Sequence, residues 1–179
     1  RPPLRVEPMP TDVRHADLAA VAALEARPWQ VPIGISERTR AAAGLVAYQG
    51  EHVLVAGPAR SGKSTTLLAV AAACRSGAPD LTVVAVAGPR SPVGGDGLVD
   101  VVVAPGEIGD RLVAAVDAAI GRILVLVDDA EAVDDVGGIL ERLSTSDRPD
   151  LLFVAAGRND GIRSGYSHWT RPLRRSKVG

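Results

Sequence analysis

Apolar residues along this chain fall into short runs broken by Gly, Pro and charged positions, and the runs are of two kinds. His52-Val53-Leu54-Val55-Ala56, Leu81 to Ala87, Leu98 to Ala104, Ile123 to Val127 and Leu151 to Ala156 are nearly continuous and rich in β-branched residues. Runs of that length and type predict strands buried on both faces, as in a parallel sheet. Others carry a helical period. Lys63 to Arg75 places Leu67, Leu68, Val70, Ala71 and Cys74 on one stripe, and Gly106 to Ile120 places Leu112, Val113, Val116, Ala119 and Ile120 on one face, with Gly121 as a stop. A shorter helical stretch spans Val136 to Leu143. Alternating strands and helices predict an α/β fold, a mostly parallel sheet flanked by helices.

The first third is different. Prolines at 2, 3, 8, 10, 28 and 32 surround one helical pattern, Ala16 to Ala26, so residues 1–30 read either as an extension packed on the domain or as a linker, with the domain proper at 31–179. Val31 to Ser36 and Gly44 to Tyr48 flank a polar turn and predict a small antiparallel β element at the entrance to the site described next.

The apolar run ending at Ala56 leads into Gly57-Pro58-Ala59-Arg60-Ser61-Gly62-Lys63-Ser64-Thr65. This fits the pattern G-x-x-x-x-G-K-[ST] of a phosphate-binding loop, and the strand before it and helix after it are the context that pattern requires. Its two glycines let the backbone wrap a phosphate, while successive N–H groups and the positive end of the next helix hold its charge. Lys63 would reach the β/γ-phosphates, Ser64 would put its hydroxyl on Mg²⁺, and Thr65 would close the turn near the α-phosphate. The chain has only two lysines, Lys63 and Lys177, among many arginines. At position 63 it keeps the compact ammonium that fits between phosphates.

Ile123 to Val127 runs into Asp128-Asp129, a buried strand ending in acids. Beside a phosphate loop this is the place for a Mg²⁺ ligand, Asp128, and a neighbouring general base, Asp129. Aspartate is also a favoured helix cap, and Asp129 precedes a helical stretch, so capping is its alternative role. Asp134 and Asp135 read as cap or first-turn charges. The run Leu151 to Ala156 ends at Gly157-Arg158-Asn159-Asp160, and ligands gather at the carboxyl ends of parallel strands. Arg158 is therefore either a phosphate sensor or an ordinary surface arginine. Two predicted strands stand along the chain between the loop strand and the Asp128 strand, which fits RecA-like and AAA-like ATPases, whose two motif strands are separated in the sheet. A small-molecule kinase with an arginine-rich lid would place those strands side by side. No N-K-x-D-like segment is present to read a guanine base.

Composition narrows the class. With 179 residues, 46% of them hydrophobic, the chain can bury one good-sized core. A net charge of −1 gives no global attraction to nucleic acid or membrane. The single cysteine, Cys74, excludes an internal disulfide, points to a reducing cytosolic setting, and sits on a helix stripe as a packed small hydrophobe. No apolar run approaches the roughly 18 residues of a membrane span, and no signal-peptide pattern opens the chain. The Arg1-Pro2-Pro3 start without an initiating Met reads as an excerpt of a longer chain. In the tail, Arg163, Arg171, Arg174, Arg175 and Lys177 alternate with Tyr166, His168 and Trp169. Such a stretch can hold a phosphate backbone and stack on bases, present arginines to a neighbouring subunit, or simply be structural. His168 has no partner at metal-ligand spacing.

The segments Pro32-Ile33-Gly34-Ile35, Gly50 to Val55, Gly57 to Thr65, Asp128-Asp129, Ala155 to Asn159 and Trp169-Thr170-Arg171 together resemble the FtsK/SpoIIIE-type P-loop ATPases. The resemblance is strongest to actinobacterial multi-ATPase chains such as the EccC proteins of type VII secretion, and covers roughly residues 27–179. It implies a RecA-like core that binds ATP with Mg²⁺ and works in rings or serial arrays moving DNA or protein substrates. It further implies that Lys63 and Ser64 bind phosphate and metal, Asp128 holds Mg²⁺, and Arg158 is the sensor-loop arginine. Two positions depart from the family. Asp129 stands where a glutamate is usual, and Gly157 where a polar sensor such as glutamine is usual. One methylene fewer displaces a general base by about an ångström, enough to cost around a hundredfold in rate. The resemblance thus implies ATP binding with slow or partner-activated turnover, or a degenerate module that binds nucleotide without hydrolysing it.

Overall fold

The computed structural model describes residues 8–13, 29–95, 97–164 and 168–175. The helical pattern at Ala16 to Ala26, and Tyr166 and Lys177 of the tail, lie outside them. A hairpin comes first, β1 (Trp29–Ile35) and β2 (Ala42–Ala47), antiparallel with a register shift between Pro32 and Gly34. Then come β3 (Val53–Ala56), α1 (Lys63–Gly77), β4 (Thr82–Val86), β5 (Val101–Val103), α2 (Val113–Ala118), β6 (Ile123–Val127), α3 (Ile139–Ser144), β7 (Leu151–Gly157) and α4 (Asn159–Ser164).

The five strands β3 to β7 form one parallel sheet in the order β3-β7-β6-β4-β5. The expected α/β architecture is what the chain adopts. β7 stands between the loop strand β3 and the acid-bearing strand β6, which excludes the side-by-side arrangement of the kinase reading. That separating strand is the last in sequence, not one of the two lying between the motifs along the chain.

Every residue of β6 is buried, because alternate side chains enter two different cores. Leu124 and Leu126 join Val83, Ala85, Leu152, Val154 and Ala156 against Leu67, Val70, Ala71 and Cys74 of α1. Ile123, Val125 and Val127 join Val84, Val86, Phe153 and Ala155 against Ile108, Leu112, Val116 and Leu140. Each Val, Leu or Ile side chain so buried contributes about 1.5–3 kcal/mol. Cys74 is fully buried, and burial pushes its thiol up to about 12, so it is the packed hydrophobe its place in the helix stripe suggests.

Several elements differ from their sequence pattern. The expected helix 106–120 is a short 3₁₀ turn at Pro105–Glu107, a π-turn at Ile108–Leu112 and then α2. Leu112 and Val116 are buried as expected, but Ala119 is already extended and Ile120 projects into solvent. The strand expected over Leu98 to Ala104 is reduced to Val101–Val103. Asp100 interrupts it by accepting the N–H of Val83 (2.8 Å) and pairing with Arg75 (2.7 Å). α3 starts at Ile139 because Gly137 and Gly138 adopt positive φ, leaving Val136 exposed. Its first turn is capped by Asp135, whose two oxygens accept the N–H groups of Leu140 (2.8 Å) and Glu141 (2.9 Å).

The hairpin packs on α1, anchored by Trp29, whose indole N–H donates to the Pro149 carbonyl and whose ring lies under the Arg122 guanidinium. Arg122 and Pro149 precede β6 and β7, so this anchor is at the amino ends of the strands, opposite the phosphate loop. The expected placement at the site entrance does not hold for this end. Trp169 is buried too. Its N–H donates to Val133 O (2.9 Å) and its ring meets Phe153 edge-on at 5.9 Å, so it belongs to the core and offers no face to a base. Among the described tail residues, Thr170 and Leu173 are likewise buried, while Arg171, Arg174 and Arg175 are exposed.

Candidate nucleotide-binding site

Parallel strands end at one rim, and the predicted site residues meet there because β3, β7, β6 and β4 all finish on it. From β3 the chain enters the loop 57–65. A Cβ on Gly57 would lie 2.5 Å from Ser61 Oγ, so a side chain there would have to displace that hydroxyl. The Gly57 N–H donates to Gly157 O (3.3 Å), tying the loop to the end of β7. Arg60 and Gly62 turn the backbone with φ of 61° and 85°, a curl that points successive N–H groups inward. α1 starts at Lys63, whose ammonium donates to Pro58 O across the loop at 2.8 Å.

Ala59, Arg60, Ser61, Gly62, Lys63, Ser64 and Thr65 line a cleft of about 430 Å³, closed on its far side by Pro92, Asp129 and Arg158. Beneath it lies Asp128, 3% exposed. Its Oδ2 accepts from Ser64 Oγ (2.9 Å) and from Ser91 Oγ (2.6 Å), whereas Oδ1 is buried without a hydrogen-bond partner among the described residues. A buried carboxylate oxygen left unmatched is costly, and a hydrated cation at this point would match it. The residues present therefore fit Mg²⁺ held through Ser64 and Asp128 with a triphosphate in the loop.

Asp129 faces this cleft with its backbone in the left-handed region (φ 49°, ψ 45°), and its side chain makes no cap bond. The capping alternative is thereby removed. Burial pushes its carboxyl above the usual aspartate range, the charges of Asp128 and Glu131 push the same way, and Lys63 and Arg158 oppose them. Arg158 also faces the cleft, but it is held. Its Nε donates to Glu131 Oε1 (2.8 Å) and its backbone N–H to Oε2 (3.0 Å). Burial works against the Glu131 charge, but the Arg158 N–H and guanidinium outweigh it and hold this carboxyl below the usual range. With both oxygens engaged, Glu131 is poorly placed to take a proton, and Asp129 is the carboxylate that lines the cleft.

Ser91, Pro92 and Glu131 are site residues that sequence reasoning missed. Ser91 and Pro92 stand just after β4, and the rule that directed attention to the end of β7 also applies to the end of β4. Glu131 carries no such signal, since its partner is 27 positions away. A second cleft, about 440 Å³ around His52, Ser144 and Leu173, holds none of the predicted site residues.

No family model matches the chain, and no curated protein is similar to it in sequence. Its fold is shared with solved ATPase structures. The cytoplasmic domain of the Thermomonospora curvata type VII secretion ATPase EccC superposes with a TM-score of 0.69 at 20% identity, over 97% of this chain and 23% of that one. The cytoplasmic domain of EssC gives 0.68 at 14% identity, over 97% and 40%. EssC (ATPases 2 and 3) from Geobacillus thermodenitrificans gives 0.63 at 14%, over 92% and 36%. The chain thus spans less than half the length of each of these structures. The fold is that of the ATPase domains of EccC and EssC.

Proposed function

We propose that the chain is an ATP-binding domain of the FtsK/SpoIIIE type, acting as one unit of an EccC-like multi-ATPase chain, with Mg²⁺-dependent hydrolysis that is slow or activated by a partner. The observation carrying this reading is the arrangement around Asp128: a buried carboxylate held by Ser64 and Ser91 under a curled loop, with one oxygen left for a hydrated cation. In this reading Gly57 to Thr65 cradle the phosphates, with Lys63 meeting the β- and γ-phosphates. Ser64 and Asp128 hold Mg²⁺, which when bound neutralises charge on the phosphate oxygens. Asp129 orients and deprotonates the attacking water, and Arg158 reports on the γ-phosphate. The Lys63 ammonium, lying across the loop on Pro58 O, keeps a positive charge at the place where the triphosphate enters. The unit is residues 31–179, with 1–30 as an extension whose last two residues begin β1. Its partners are neighbouring ATPase domains or copies of itself, and its translocated substrate is a secreted protein, as the fold it shares with a type VII secretion ATPase suggests; of the tail aromatics, Trp169 is in the core and offers no face to a base. The setting is cytosolic; among the described residues no helix is long and apolar enough to cross a membrane.

A non-hydrolysing module is the second reading, favoured by the short Asp129 and by Gly157, where a polar sensor is usual. Steady-state ATP hydrolysis, alone and with partner domains or DNA, separates the two. Turnover that rises with a partner domain supports the motor. ATP binding with no turnover under any condition leaves the non-hydrolysing module.

A further inference from the structure

Glu131 is an acid that the motifs do not call for, yet the site is built around it. Its side chain is 7% exposed, in the 3₁₀ turn Ala130–Ala132 that follows Asp129. It reaches from the end of β6 to the end of β7, where one oxygen takes the backbone N–H of Arg158 and the other takes Nε. Two glycines make the space. A Cβ on Gly157 would lie 2.7 Å from Glu131 Oε2, and a Cβ on Gly161 would lie 2.7 Å from Glu131 Cβ and Cγ. Three elements, the β6 turn, the last residue of β7 and the first turn of α4, are thus shaped to admit one carboxylate.

A half-exposed arginine ordinarily samples many rotamers, and holding it in one costs entropy on every binding event. Fixing Nε and the main chain of Arg158 removes that freedom beforehand, and of the five N–H donors on the guanidinium only one is used on Oε1. The remaining donors sit at the tip, on a side chain that lines the same cleft as Lys63. We propose that Glu131 is a positioning residue that sets Arg158 to contact the terminal phosphate of a nucleoside triphosphate, so that the chain distinguishes ATP from ADP through a pair spanning β6 and β7. This rests on the reading of the loop as a nucleotide site and extends it. It also accounts for Gly157: the position cannot carry its own polar side chain because the Glu131 carboxylate occupies that space.

The test is the ratio of ADP to ATP dissociation constants in Mg²⁺, by calorimetry, for the parent, Glu131→Gln, Arg158→Ala and the double variant. One charge-assisted hydrogen bond to the γ-phosphate is worth about tenfold in that ratio. Arg158→Ala and Glu131→Gln should each lower the ratio about tenfold or toward one, the double variant no further than Arg158→Ala alone, and ADP affinity should stay within about twofold of the parent. Arg158→Lys, which keeps a charge at an exposed position but has no Nε to pair, should also lower the ratio and serves if Glu131→Gln does not fold. Parent ATP binding with an unchanged ratio in Glu131→Gln, or in Arg158→Lys if that variant has to stand in, overturns the role of Glu131 alone, as does an equal loss of ATP and ADP affinity. No ATP binding by the parent overturns the nucleotide site itself and this proposal with it.

Discussion

Installing a side chain at Gly157 is the change that family resemblance recommends and the structure penalises. A Cβ there would sit 2.7 Å from Glu131 Oε2, 2.8 Å from Ile162 Cδ1 and 3.2 Å from Ile162 Cγ1. Ordinary contact needs about 3.5–4 Å, so neighbours on both sides must retreat by nearly an ångström. Neither can do so freely. Ile162 is 2% exposed, and the carboxylate is fixed by two hydrogen bonds to Arg158. The backbone is not the obstacle, because Gly157 is an ordinary strand residue with no positive φ. Overpacking of this kind costs about 1–3 kcal/mol. For a domain of this size that is a fall of about 2–12 °C in melting temperature, measured by scanning calorimetry on Gly157→Ala and Gly157→Gln. Gly106→Ala is the control, since a Cβ there meets nothing within 4 Å, and it should melt with the parent. In a Glu131→Ala background one of the two obstructions is gone, so the penalty of Gly157→Ala should shrink. A Gly157→Gln protein that melts with the parent and hydrolyses ATP faster would refute the reasoning.

Asp129→Asn keeps a residue that tolerates the left-handed backbone at φ 49° but cannot take a proton. If the chain hydrolyses ATP, turnover should fall by about 10²–10⁴-fold with ATP affinity retained, read by phosphate release and calorimetry. His52 is buried and neutral, its Nδ1 accepting from Phe153 N–H (3.2 Å) and its Nε2–H donating to Ser146 O (2.9 Å). Burial holds its pKa below 6.5, more than the Ser146 bond raises it, so the unfolded chain binds the proton more readily. Stability should therefore be complete above about pH 6.5 and decline as pH falls from there toward the folded-state value. Urea melts across pH 5–7.5 check this. His168, shifted down by burial as well, should leave part of the slope in a His52→Gln variant. Trp169→Ala removes the edge-on contact with Phe153 and the bond to Val133 O, and should cost about 3–5 kcal/mol in equilibrium unfolding.

What was legible in the sequence was whatever depends on neighbours along the chain. The loop 57–65 announces itself because its glycines and Lys63 act within one turn, and β6 because a run buried on both faces is apolar at every position. The capping role of Asp135 is equally local. Contacts across the sheet were not legible. Arg158 could be placed at the rim, but nothing near it in sequence tells that Glu131 would hold it. Asp129 offered base or cap, and only the structure shows that its side chain makes no cap bond. Helical period alone joined residues 106 to 120, whereas the chain changes from π to α geometry and leaves the helix before Ile120. Trp169 read as an aromatic among basic residues because its partners, Phe153 and Val133, are contributed by distant elements.

The central claim is that the turn ending at Ser64 grips a triphosphate whose cation is steadied by Asp128. Its most direct measurement is calorimetric titration of Mg·ATP into the parent and into Lys63→Ala, a half-buried side chain that belongs to neither core, so its loss leaves the core untouched. Removing the charge-assisted bonds of that ammonium should weaken binding by at least about tenfold. Equal affinity in the two proteins would contradict the account.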